Sequence, residues 1–580
     1  KTLPELLNTV PGITFSGAEN APGIATSVYL HGASNGNTLI LVDGFPVNNA
    51  ATIDNGYDLN AFPLDQIDHI EILKGSGSTL YGSDAVAGVI NIITKHPKGE
   101  GLKASVQLAG GSYNTFNESV GLNGNVHNTG IALNLSNSDS RGFPGATDTT
   151  GKGNFRDDGF RERAVSLNLT QKVTDKFSLN GNLQTSYDKG NLPYGAYTDD
   201  QNNNYDNTFL FGGIGAKWLL NKGTLNVNLS QNTVWNHFDN EGPDNDSTHS
   251  VTRNVGRITD AEAVFNYSLN KYLDLTSGAG FKYNSTRQNS LFEEAFYHPG
   301  PSPVVDSANS IASAFASLFF KSDIFHMELG GRFNHHSTYG NNFTYTINPS
   351  VFLFDQLKVF ATVASAFKAP SLYQLYSEYG NIGLKPETTN SYEAGFDWEI
   401  VSNTLSLNTD FYKRDTKDVI YFASTSVSPY GKYENGSKEN DKGFESELDL
   451  KLSGFTASAY MAYVSGALTD ARGIKTDYLL RRPKTTFGAS INYQVIKTLS
   501  VGLIYKYTGD RIDQDFSTYP ATNVTLKNYN LFDGHVQWQA CKRLELFADL
   551  RNMFDEKYTD WLGYNTRGRN FMAGLRYNIN

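Results

Sequence analysis

The sequence predicts a transmembrane β-barrel of about 22 antiparallel strands over residues 99–580, closed around an N-terminal α+β plug domain of residues 1–98. Three observations carry that expectation: a two-residue alternation of apolar and polar side chains sustained for hundreds of residues, connections that are short and long in turn, and an aromatic excess on a polar background. Only 39% of the 580 residues are hydrophobic, yet aromatics reach 13%, with 33 Tyr and 36 Phe. A negative mean hydropathy is compatible with membrane strands, because only every second residue of such a strand faces lipid. No uncharged apolar run reaches the roughly 18 residues that a spanning helix needs.

The first 98 residues predict a compact mixed unit. "TLPELLNTVPG" reads as a short helix capped by Thr2, with Glu5 three residues on, Leu3, Leu6, Leu7 and Val10 on one face, and Pro11 and Gly12 as its stop. The apolar runs "NTLILVDGFPV" and "IDHIEILKG" read as short strands separated by turn residues. In "LYGSDAVAGVINIITKHPKGEG", residues 80–101, Gly82 and Gly88 permit tight backbone approach. Val89, Ile90, Ile92 and Ile93 then form a buried strand, and the Lys, Pro and Gly run links to the barrel.

From about Leu102 the texture changes to alternation. In "LNVNLSQN", Leu225, Val227 and Leu229 share one face, and Asn226, Asn228 and Ser230 the other. The same period recurs in "IALNLSN", "VSLNLTQ", "FESELDLKL" and the closing "FMAGLRYNI". A soluble β-sandwich would alternate too, but the connections separate the two architectures. Short ones, "VHNT", "VTDK", "LNKG", "LNKY", "KSDI", "FDQL", "VSNT", "LSGF", "VIKT" and "ACKR", exchange with long polar ones such as 136–163, 186–208, 284–310 and 414–441. Ten short turns require eleven long loops and 22 strands if the chain begins and ends on one side. A barrel of that size needs a plugged lumen, and the N-terminal unit supplies it.

Several function classes are excluded. The net charge of −11 argues against nucleic-acid binding, and the single Cys541 rules out an internal disulfide framework. No Ser, His and Asp constellation, zinc spacing or phosphate loop marks an enzyme; "GSGSTLYG" lacks the ending a P-loop needs, and a strand sends the adjacent His335 and His336 to opposite faces. Lys1 is no initiator methionine, so any targeting segment is expected to have been removed or to lie outside these residues.

"LILVDGFPVN" and "LYGSDAVAGVINIIT" resemble the plug of TonB-dependent outer-membrane receptors. Within that family "SAFKAPSLYQLYSEYGNIGLKPETTNSYEAGF", "YLLRRPKTTF", "TGDRIDQDFSTYP" and "LFADLRNMFDEKYTD" are most similar to the vitamin B12 (cobalamin) receptors, and the resemblance spans nearly the whole chain. It implies a monomeric barrel set in the outer-membrane lipid of a Gram-negative bacterium. Such a barrel takes up cobalamin or another corrinoid unchanged, driven by TonB with ExbB and ExbD, with a surface-exposed corrinoid-binding lipoprotein as a further partner. The alternatives are a siderophore or haem receptor on the same fold, or a surface docking barrel without transport. The family's TonB box precedes the helix that Thr2–Gly12 resembles, and nothing in these residues corresponds to it.

The resemblance also implies site residues. The family pairs two plug arginines with two barrel glutamates. The matching acids here are Glu393 in "SYEAGF" and Glu445 in "KGFESELD", both placed on the lumenal face by the alternation as well. Their plug partners depart from the pattern, being His31 in "VYLHG" and Lys74 in "EILKGSG". Lysine keeps the charge without the bidentate fork, and histidine is charged only near or below neutral pH, so His31 as a mere filler stays open. Substrate contacts fall to the plug loops Ala33–Asn37 and Asn48–Tyr57, through Ser34, Asn35, Asn48, Asn49, Asp54, Asn55 and Tyr57, with Tyr194 and Tyr197 from a long barrel loop. These side chains suit the amide-rich edge of a corrin, and equally any solvated turn. Asp188, Asp199, Asp200, Asp206, Asp239, Asp244 and Asp246 are expected either to hold Ca²⁺ or to form a solvated acidic rim; no other cofactor is expected.

Overall fold

The computed structural model describes residues 1–200, 202–240, 249–293, 304–424, 430–516 and 521–579. Twenty-two antiparallel strands, from Gly101–Gly111 to Asn570–Ile579, close into one barrel as the last strand pairs with the first from Met572↔Gly111 to Ile579↔Ala104. The two-residue segment Lys475–Thr476 adds a short pairing at one rim. No helix among the described residues is long and apolar enough to cross a membrane. Burial is inverted relative to a water-soluble sheet: along Gly223–Asn240, Val227 and Leu229 are 41% and 47% exposed, whereas Ser230 and Asn232 are buried. Apolar side chains face outward and polar ones face the lumen, as lipid outside and a filled interior require.

All ten expected short turns connect strands on one rim, each by two or three residues. The other rim departs from expectation in two ways. Two of its eleven connections are also short, Ser112–Asn114 and 337–339. Tyr113 and Asn114 make the first in left-handed backbone, and in the second His336 Nδ1 accepts from Thr338 N at 3.0 Å; neither turn has glycine among its three connecting residues, the position from which a hairpin is read. Strands also run into segments expected as loops: Leu273–Glu293 enters 284–310, and it and its neighbour His249–Asn270 have 21 and 22 residues where about 9–11 span a bilayer. Beyond the lipid both faces of a strand are wet, so the alternation that marks it disappears.

The plug fills the lumen. Helix α1 (Leu3–Leu7) is capped by Thr2, and strands β1 (Ile13–Ser16) and β2 (Ser27–Leu30) form a hairpin pair. Strands β3 (Thr38–Val42), β4 (Phe45–Pro46), β5 (Ile67–Lys74) and β6 (Gly88–Thr94) form a mixed sheet in the order β4-β3-β6-β5, with β3 and β6 parallel. As expected, β6 is buried through Val89, Ile90 and Ile92, while Ile93 is only half-buried. Leu3 and Leu7 enter the plug core, but Leu6 is 39% exposed. Barrel residues Phe209, Phe211 and Val234 join that core, with Phe211 against Phe45 at 5.6 Å between centroids.

Gly88 is sterically required. A methyl group there would lie 2.2 Å from the Leu73 carbonyl oxygen and 2.3 Å from Leu30 Cδ2, whereas one at Gly195 meets open space. Gly88→Ala is expected to destabilise the plug by about 1–3 kcal/mol, seen as faster proteolysis of the plug in the detergent-solubilised barrel, and Gly195→Ala to leave it unchanged.

Candidate functional site

A cavity of about 920 Å³ opens between the plug and the rim of long connections. Its floor is plug backbone that has been turned sharply and then fixed by side-chain amides. Asn35 Oδ1 accepts from Val28 N at 3.0 Å while its Nδ2 reaches Asp54 Oδ2 at 3.3 Å. Asn49 Nδ2 donates to Asn236 Oδ1 of the wall at 3.0 Å, and Asn232 Nδ2 donates to the carbonyls of Val47 (2.9 Å) and Asn48 (3.1 Å). The wall adds Asn207, Asn236, Asn254 and Gln288 between the aromatic rings of Phe209 and Phe238.

Two long connections complete the enclosure. Helix α2 (Leu372–Tyr376) begins in a capping box, Ser371 and Gln374, and Ser371 Oγ also donates to Ile53 O of the plug at 2.6 Å. This anchor turns Tyr373 and Tyr376 toward the cavity. The connection 552–569 contributes Trp561 and Tyr564, and it is itself tied to the plug: Gly17 N donates to Asp560 Oδ2 at 2.5 Å, and Trp561 Nε1 donates to Ser16 Oγ.

Of the residues expected to meet substrate, Asn35, Asn49, Asp54 and Tyr57 line this cavity. Ser34 instead accepts from Asn37 Nδ2 at 2.9 Å, and Asn48 is buried with its Oδ1 on Ile40 N (3.0 Å) and its Nδ2 on Asn55 O (2.9 Å). Asn55 supplies a left-handed turn residue. Tyr194 and Tyr197 lie in the connection 192–203, outside the cavity lining, where Tyr197 N donates to Gly563 O at 3.1 Å. The aromatic side Tyr373, Tyr376, Trp561 and Tyr564 was not anticipated, although the S-x-x-Q capping box before "LYQLY" is a signal that a loop holds an ordered helix there.

The lining carries four carboxylates, Asp54, Asp58, Asp188 and Glu378, and no lysine, arginine or histidine among the described residues. Burial, partly offset by hydrogen bonds from Asn60 N (3.0 Å) and Thr26, pushes the Asp58 carboxyl up to about 6.

The acids considered for Ca²⁺ take separate partners. Asp188 accepts from Asn207 Nδ2 (3.1 Å), Asp199 from Arg156 N (2.6 Å) and Asp200 from Asn202 N (2.9 Å), while Asp206 faces His237 (2.9 Å) and Asp239 faces His249 (3.3 Å). Among the described residues no three of them converge; Asp244 and Asp246 lie outside those residues.

Beneath the cavity, ion pairs join plug and barrel. Lys74 Nζ binds Glu445 Oε1, and His31 Nε2 lies 3.4 Å from Glu445 Oε2, so both plug bases converge on one glutamate. Glu393 forms no ion pair among the described residues; its carboxylate packs on the backbone of Gly75, where a methyl group would lie 2.2 Å from Oε1. A second junction was missed. Glu5, expected only as a helix-start residue, binds Arg567 and, at 2.9 Å, Arg551. Burial alone would raise the Glu5 carboxyl, and the two guanidinium groups hold it well below the usual carboxylate range. Two barrel cations also reach the segment after β5: Lys282 Nζ lies 3.3 Å from Asp84, and Arg332 Nη1 donates to Leu80 O at 3.0 Å.

A closed barrel with an apolar outer face, a folded unit in its lumen and a cavity at one rim is an integral outer-membrane receptor rather than an enzyme. The family model described as TonB dependent receptor-like, beta-barrel, matches residues 106–553, and that of the TonB-dependent Receptor Plug Domain matches residues 1–89. The chain belongs to the TonB-dependent receptors, which transport actively across the outer membrane with TonB as periplasmic partner. It is 27% identical to a vitamin B12 transporter of Vibrio cholerae serotype O1, covering 100% of this chain and 90% of that protein. The ferric enterobactin receptor of Pseudomonas aeruginosa shares its fold with a TM-score of 0.80 at 22% identity, covering 100% of this chain and 96% of that one. The siderophore receptor PirA of Acinetobacter baumannii does so with a TM-score of 0.78 at 19% identity and the same coverage.

Two outcomes follow from this geometry. Lys74→Ala leaves Glu445 short of one charged partner, a loss of about 1.5–3 kcal/mol, and is expected to speed amide exchange over residues 60–95, whereas Lys74→Arg preserves protection; equal exchange in all three proteins would show that this pair does not hold β5. Asp58 has a folded value above the unfolded one, so its contribution is complete below about pH 4 and is lost as pH rises through about 6. Asp58→Asn is expected to match the wild-type melting temperature at pH 4 and to exceed it at pH 7.5.

Proposed function

We propose that the cargo is a bulky metal chelate without net negative charge, and that it is cobalamin or a related corrinoid. The observation that carries this reading is the lining: four carboxylates without a cationic side chain among the described residues, beside the amides of Asn35, Asn49, Asn207, Asn236, Asn254 and Gln288. Amide side chains donate and accept, and so match the acetamide and propionamide groups that fringe a corrin. The aromatic side offers π-faces to the macrocycle. A trianionic ferric tris-catecholate, or a haem with its propionates, would enter against the field of those carboxylates with no guanidinium in the lining among the described residues, since Arg481 stands behind Trp561, 4.7 Å from its ring, and is paired with Asp513. The vitamin B12 transporter, related over the whole chain, supports the same assignment.

The second reading is an iron chelate. The solved structures that share the fold include receptors for ferric enterobactin and other siderophores, which favours it at the level of architecture. On this reading the acidic lining favours uncharged or cationic chelates, such as neutral ferric hydroxamates. Calorimetric titration of the purified receptor with cyanocobalamin, a neutral ferric hydroxamate and a ferric tris-catecholate separates the readings. Saturable cobalamin binding, weakened by Tyr373→Ala, is expected. Binding of the hydroxamate alone would select the second reading, and tight binding of the tris-catecholate alone would reject the charge argument.

A further inference from the structure

Asp410 and Glu445 are direct cross-strand partners on Leu405–Lys417 and Lys438–Leu452, and both point into the lumen. Like charges facing each other across a ladder are unfavourable, and this pair has been brought under the plug. Lys74 occupies only Glu445 Oε1. The other nearby cation, Arg414, is committed to Asp441 through Nε at 3.2 Å and Nη2 at 2.5 Å, and Glu393 from the neighbouring strand adds a further carboxylate. Three carboxylates thus share one lysine. His31 Nε2, Asp410 Oδ1 and Glu445 Oε2 are each buried and lack a hydrogen-bond partner, with His31 and Glu445 2% and 7% exposed.

We propose that His31, Asp410 and Glu445 bind one Zn²⁺ or similar divalent transition-metal ion, which ties the plug to the barrel wall. Their ligand atoms lie within 4.8 Å of one another. The 3.4 Å between His31 Nε2 and Glu445 Oε2 corresponds to a tetrahedral edge, about 3.3 Å for bonds of about 2.0–2.1 Å. One imidazole nitrogen with two carboxylates suits Zn²⁺, whereas Ca²⁺ takes six or more oxygens. The imidazole is held in place: its ring stacks on Tyr412 at 4.0 Å with planes 5° apart, His31 N donates to Gly12 O at 2.9 Å, and His31 O accepts from Arg414 Nη2 at 3.3 Å. Gly12 keeps the approach clear, since a methyl group there would lie 1.9 Å from Glu445 Oε2. Lys74 orients the carboxylate from its other oxygen. The ion replaces a direct imidazole–carboxylate contact and offsets the charge of the carboxylates.

The test uses the whole receptor in detergent, stripped with a chelator and titrated with Zn²⁺ by calorimetry and with Co²⁺ by visible absorption. One site per chain with a four-coordinate Co²⁺ spectrum is expected, together with slower amide exchange in Ser27–Leu30 and Ile67–Lys74 when Zn²⁺ is added. Asp410→Asn is expected to weaken binding about tenfold or more, and His335→Ala, on the outer face, to leave it unchanged. Unchanged exchange in the wild type at saturating Zn²⁺, or equal affinity in wild type and Asp410→Asn, would overturn the proposal. The exchange result is read on the wild-type protein, so a variant that fails to fold does not block the decision.

Discussion

A barrel of 22 strands encloses more space than its own inward side chains can fill, and that geometric surplus governs the rest of the molecule. Each inward position must meet water or a second folded unit, and a buried amide or carboxylate left without a partner is costly. The lumenal wall is therefore a surface written for the plug. Asn232 turns its amide onto two plug carbonyls, Arg332 reaches Leu80 O, and Phe209 and Phe211 enter the plug core while the intervening Leu210 faces outward. The plug keeps a core of its own, which the barrel completes on one side through Phe209, Phe211 and Val234.

Charge is concentrated where the plug backbone turns. Glu445 receives Lys74 and His31 at the ends of β5 and β2, and Glu5 receives Arg551 and Arg567 at α1. The second junction also reaches the cavity, for the connection that contributes Arg567 to Glu5 contributes Trp561 and Tyr564 to the lining. Cavity wall and plug helix are thus attached to one stretch of eighteen residues, 552–569.

The architecture was legible because lipid imposes a period of two that nothing else in the chain imitates for so long. The ten tight turns, the sense of Glu445, and the opposed directions of His335 and His336 all follow from counting residues along that period. Legibility fails where the lipid ends. Strand extensions such as those of His249–Asn270 are wet on both faces, and the hairpin at Tyr113 and Asn114 uses left-handed residues that are not glycine. In the site, plug polar residues could be placed near the cavity, but not sorted by role: Asn35 lines it while Asn48 spends both ends of its amide on backbone. Glu393 and Glu445 carry the same phase in the alternation, yet only the position of the plug bases in space decides that both go to Glu445.

The kind of contact between plug and barrel bears on transport. A plug held in by a wide apolar interface could move only by exposing that surface to water, at about 25 cal/mol for each Å². Many contacts here are instead amide and ionic, such as those of Asn232, Lys74 and Glu5, and on release each exchanges a protein partner for water, so the net loss is about 0.5–1.5 kcal/mol per hydrogen bond. Such contacts can break in succession under a pull from the periplasm, each small beside the sum. Ring contacts add to these: Tyr57 packs on Phe209 in the cavity lining, while Phe45 packs on Phe211 and His31 stacks on Tyr412 outside it. Packing of Tyr57 on Phe209 thus backs the cavity floor, while the ion pairs beneath it exchange for water on release, an arrangement that lets those parts of the plug yield before the floor does.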